Sequence, residues 1–72
     1  MKLQTELRNW FTIERLNQLD LQKIEDLAGV ERQSINYICG AFGLSKNHIE
    51  DIESIFIVLK MIENGFTDCN KD

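Results

Sequence analysis

Apolar residues recur at intervals of three and four along almost the whole chain, and glycine or short polar residues stand where that recurrence breaks. A period near 3.6 places such residues on one face of an α-helix. The breaks are few, for the 72 residues include four glycines and no proline. The expected architecture is therefore all-α, a compact four- to five-helix bundle. A single domain is expected over residues 1–66, with residues 67–72 as a frayed polar tail.

The first helix is expected over residues 3–15, its apolar face made by Leu3, Leu7, Trp10, Phe11 and Ile13, with Asn17 and Gln18 interrupting it. Asp20 stands where an N-cap acceptor is wanted, and Ile24, Leu27 and Ala28 give the buried stripe of a two-turn second helix. Gly29 ends that helix because it takes the left-handed C-cap conformation at no steric cost. A third short helix begins near Glu31 or Arg32 with Ile35, Ile38 and Cys39 inside. Gly40 and Gly43 close it, with Phe42 between them as a core plug. The fourth follows an N-cap at Ser45, buries Ile49, Ile52, Ile55 or Phe56, Leu59 and Ile62, and stops at Gly65.

From Ile55 to Ile62 only Lys60 is polar, too apolar a stretch for one buried face. Such a helix is covered either by its own domain or by a second copy. The small size of the chain favours a homodimer contact through Ile57, Val58 and Met61, since a short chain buries only part of its apolar surface alone.

Eight basic against twelve acidic residues give a net charge of −4, whereas a nucleic-acid binder usually displays a basic face. The surplus is unevenly placed: five basic against six acidic residues over 1–43, three against six over 44–72. Cys39 and Cys69 cannot form a disulfide framework and show no CxxC spacing, so a reducing, cytoplasmic setting is the simpler expectation. The longest apolar run, residues 55–59, is far too short to span a membrane. One histidine, His48, and two unpaired cysteines make no zinc site, and the acidic Glu50, Asp51 and Glu53 lack the loop of a calcium site. No hydrolytic triad or glycine-rich phosphate loop can be assembled; no metal, cofactor or enzymatic activity is expected.

The centre of the chain has the layout of a helix-turn-helix: a two-turn helix, a turn at Gly29, a buried Val30 and a second short helix. Glu31, Arg32, Gln33, Ser34, Asn36 and Tyr37 remain on the outside of that second helix. On a helix that enters the major groove, Arg suits guanine and Asn or Gln suits adenine through paired hydrogen bonds. Residues 20–38, followed by Leu44-Ser45 and by Ile49 and Ile52, resemble the Cro/C1-type (XRE-like) helix-turn-helix family of phage repressors and small bacterial regulators. The likeness lies in the cap at Asp20, in Leu27-Ala28-Gly29-Val30, in Ile35 with Ile38, and in Leu44-Ser45. It covers residues 5–62.

That resemblance implies a DNA-binding transcriptional regulator whose third helix reads an operator half-site, with double-stranded DNA and a second copy as partners. Its DNA-binding set would be Gln22, Arg32, Gln33, Ser34, Asn36 and Tyr37. Leu21 occupies the place where the family usually carries a phosphate-binding Gln, and Gln22 comes one place later. Glu25 stands where a small Ala is usual, and is expected to bend outward or to force the two helices apart. Glu31 replaces the usual Ser or Thr cap and puts a carboxylate near the path of a phosphate. The acidity keeps a second function open, a protein-binding module on the same scaffold, such as a phage-encoded inhibitor or accessory factor of the anti-CRISPR type.

Overall fold

The computed structural model describes residues 2–40 and 43–71, which carry five helices. They are α1 (Lys2–Trp10), α2 (Ile13–Gln18), α3 (Leu21–Ala28), α4 (Ser34–Gly40) and α5 (Lys46–Glu63). The all-α class and the small bundle are as the periodicity indicates. Among the described residues no strand occurs, only an isolated antiparallel bridge between Leu19 and Asn70. Phe42, expected as a core plug, lies outside the described residues.

The first helix is broken in two. Thr12 adopts an extended backbone, and its hydroxyl accepts a hydrogen bond from the Arg15 N–H at 3.2 Å, which starts α2 afresh. Short polar side chains compete with the helix for such backbone donors. Phe11 turns into the core at this corner, with Trp10 edge-on to it at 5.0 Å. The Arg15 guanidinium lies 4.3 Å from the centre of the indole and donates to the Trp10 carbonyl at 2.7 Å. The new direction of the chain carries Ile13 out of the apolar face, and it is 78% exposed.

The core is one cluster: Leu7, Phe11, Leu19, Ile24, Ile35, Ile38, Ile52, Ile55, Val58, Leu59 and Cys69. The 18-residue α5 is its axis, packed by α1, α3 and α4. Wrapping on three sides widens the buried arc of α5, so Val58, expected to face a second copy, is in the core with Ile55 and Leu59. Only the sector around Ile57 stays open. Leu27, expected in the stripe of α3, is half exposed, because the inward side of that helix is taken by Ile24 and Glu25.

Seven residues are too few for an isolated helix in water, so α4 depends on its surroundings. Both ends are tied by side chains from far along the chain. Glu25 is buried, yet it neither bends outward nor wedges the helices apart. Its two carboxylate oxygens accept from the Gln33 N–H at 3.2 Å and the Ile35 N–H at 2.9 Å, a cap delivered across the turn. At the other end the Gln4 amide donates to the Ile38 carbonyl at 2.6 Å and Arg8 Nε to the Cys39 carbonyl at 2.5 Å. The turn itself uses two left-handed residues, Gly29 at φ 72° and Gln33 at φ 73°. The second is uncommon for a residue with a side chain and delays the start of α4 to Ser34.

Residues 67–71 are not frayed. They fold back as a strap over the α2–α3 corner: the Asp20 N–H donates to the Cys69 carbonyl and the Lys71 N–H to the Gln18 carbonyl, each at 2.7 Å. Lys23 Nζ donates to the Asp68 carbonyl at 2.6 Å, and the Cys69 side chain is 1% exposed. Burial pushes the thiols of Cys39 and Cys69 above their ordinary value of 9.0. An unfolded chain releases those protons first, so stability present below pH 9.0 is lost as pH rises above it. Melting temperature is expected to fall progressively above that pH, and Cys69 to react with a maleimide at neutral pH far more slowly than in denaturant. Equal rates would contradict the docked strap.

Candidate nucleic-acid interface

All six residues expected to touch DNA surround the first turn of α4. Gln22 comes from the start of α3, Arg32 and Gln33 from the turn, and Ser34, Asn36 and Tyr37 from α4. They line two shallow grooves that share Arg32 and Gln33. One, of about 330 Å³, adds Gln22 and Asn36, with Lys71 at its edge. The other, of about 510 Å³, adds Ser34 and Tyr37, with His48 and Asp51 opposite.

The polar side chains are ordered by one another. Oriented with its oxygen towards Arg32, the Gln22 amide accepts from Nε and Nη1 of the guanidinium at 3.1 Å each. Asn36 Nδ2 donates to Gln33 Oε1 at 3.1 Å. Both pairs sit at the surface, where a competing acceptor can exchange for the intramolecular one at little net cost. Ser34 is different, since its hydroxyl donates to the Glu31 carbonyl at 2.5 Å and helps close the turn.

Tyr37 is 55% exposed and lies over the His48 ring at 5.0 Å, tilted by 33°. Nδ1 of His48 accepts from the Ser45 N–H at 3.2 Å, which makes it the unprotonated nitrogen and leaves the ring N–H at Nε2. His48 thus takes the part that a Glu or Gln usually plays three residues after an N-cap.

Several basic residues are already engaged inside the domain. Arg8 and Lys23 bond backbone carbonyls, and Arg15 is held on Trp10. Around the two grooves the cations are Arg32 and Lys71, facing Asp20, Glu31 and Asp51, while the Glu25 carboxylate is spent on backbone N–H groups. Two cations against four carboxylates leave this surface net acidic, so phosphate contacts would fall largely to neutral donors.

Of the residues expected at a homodimer contact, Ile57 is 63% exposed, Met61 is half-buried and Val58 is buried. Ile57 lies in a groove of about 470 Å³ between α1 and α5 with Leu3, Phe56, Glu6, Glu53 and Lys60. Lys71 belongs to these surfaces without having stood out beforehand, and Phe56, an alternative to Ile55 in the expected buried stripe, is half-buried and lines the groove beside Ile57. Cys69, a small apolar residue in a polar segment, is the one sign in the sequence that the strap is held down.

Among the described residues no group of three or more His, Cys, Asp and Glu is placed to hold a metal ion, and no helix is long and apolar enough to cross a membrane. No family model, curated protein or solved structure matches the chain. Its function must be read from its own residues.

Proposed function

We propose that this chain is a small DNA-binding transcriptional regulator of the helix-turn-helix kind, which places α4 in the major groove of an operator half-site and acts as a homodimer. The observation that supports it is the convergence of Gln22, Arg32, Gln33, Asn36 and Tyr37, all exposed, around one end of a single helix. A helix about 10–12 Å across fits a major groove about 12 Å wide. Arg32 then reads guanine, Asn36 or Gln33 reads adenine, and Tyr37 supplies a phosphate or thymine-methyl contact. A selection from random duplex DNA at moderate salt is expected to enrich one short motif. Enrichment of none would remove the proposal.

A head with so few free cations binds weakly by itself, and two linked heads multiply their affinity. The dimer surface is the open sector of α5. Glu53, Phe56, Ile57 and Lys60 follow one another at i, i+3, i+4 and i+7, so they share one stripe. A two-fold contact must carry both members of each ion pair. An antiparallel second α5 crossing between Phe56 and Ile57 sets Glu53 of each copy against Lys60 of the other.

Ile57→Asp is therefore expected to convert a dimer to a folded monomer in light scattering at micromolar concentration. A wild type that is already monomeric would end the dimer proposal. The same apolar groove, in an acidic chain, favours one other reading, a protein-binding module. A monomer that enriches no duplex motif would select that reading.

A further inference from the structure

The strap over residues 67–71 does more than cover the α2–α3 corner. We infer that it delivers Lys71 to the DNA face as a phosphate-contacting residue, so that the strap completes the α3 side of the interface; this rests on the DNA-binding reading above. The strap is fixed along its length: Asp68 by Lys23, Cys69 by burial and by the Asp20 N–H, Asn70 by its bridge to Leu19, and Lys71 by its N–H on the Gln18 carbonyl. Three hydrogen bonds to the strap backbone, at Asp68, Cys69 and Lys71, hold it down and leave the lysine side chain to move. That side chain is exposed, borders the groove that holds Gln22, Arg32 and Asn36, and its ammonium has no partner among the described residues.

The charges explain why such a residue would matter. The same strap occupies Lys23, which would otherwise be the cation of α3, so docking exchanges one basic side chain for another placed beside Arg32. Asp20 is the acidic neighbour in that groove, and one of its carboxylate oxygens accepts from the Gln22 and Lys23 N–H groups. A Lys ammonium on a flexible stem serves as a point contact to phosphate, positioning the protein without reading sequence.

The test is Lys71→Ala against wild type on a short random-sequence duplex and on a selected one, titrated at several salt concentrations, with Lys71→Arg and Arg32→Ala alongside. Lys71→Ala is expected to weaken both duplexes about equally, by about threefold to tenfold at moderate salt, and to reduce the salt slope by about one; Lys71→Arg restores both. Its melting temperature should stay close to wild type, since the lysine side chain is exposed and its backbone hydrogen bond is kept. Unchanged affinity and slope for Lys71→Ala, beside a loss for Arg32→Ala, would overturn the inference and leave the reading helix standing. No binding by wild type at any salt would overturn both.

Discussion

Replacing Glu25 by alanine is expected to lower the melting temperature by about 15 °C, corresponding to about 3 kcal/mol in a domain of this size. Burial of a charge costs free energy, and an apolar substitute of the same shape can be neutral. Here that gain does not arise. The carboxylate is the acceptor for both the Gln33 and the Ile35 N–H groups, and alanine leaves the buried Ile35 donor and the part-buried Gln33 donor without that partner. Glu25→Gln keeps one acceptor and turns an N–H towards the other donor, so it should lose roughly half as much. Because α4 has seven residues and Gln33 sits at φ 73°, the loss should be felt first as fraying of α4, visible as faster amide exchange at Ile35. A Glu25→Ala protein that melts with wild type would mean that α4 needs no cap from α3.

The largest effect on function is expected from Arg32→Ala combined with Asn36→Ala. Each paired hydrogen-bond contact to a base is worth about 1–3 kcal/mol, so losing two should weaken a selected duplex by about a thousandfold. A random duplex should lose far less, through the one positive charge removed. Both side chains are exposed and their partners, Gln22 and Gln33, are exposed as well, so nothing is stranded in the interior and the fold should be retained. Competition binding with selected and random duplexes separates the two terms. An equal loss on both would assign Arg32 and Asn36 to phosphates rather than bases.

Much of the fold was legible from apolar spacing, because burial follows helical period wherever a helix has one covered side. Ile24, Ile35, Ile38, Ile52, Ile55 and Leu59 are inside, and Gly29 has the left-handed backbone its position implies. Three departures share a cause, the intervention of polar groups that periodicity ignores. Thr12 cuts the first helix with its own hydroxyl. Glu25 is drawn inward by unsatisfied backbone donors. The strap is held by backbone hydrogen bonds from Gln18 and Asp20, leaving Cys69 as its only apolar anchor. Val58 departs for another reason, since a helix wrapped on three sides buries more than one stripe. That Arg32, Gln33, Asn36 and Tyr37 face outward was legible because Ile35 and Ile38 mark the buried side of so short a helix. Lys71 was not, for its place depends on a contact between segments about fifty residues apart.

The proposed function requires duplex DNA to meet the protein around the first turn of α4. Titrating a selected duplex into isotope-labelled protein and following amide and side-chain resonances locates that surface directly. The expected result is a continuous set of shifts at Gln22, Arg32, Gln33, Asn36, Tyr37 and Lys71, with Leu3, Phe56 and Ile57 unmoved by DNA. Shifts confined to the α1–α5 groove, or none at concentrations where a half-site should be occupied, would contradict it.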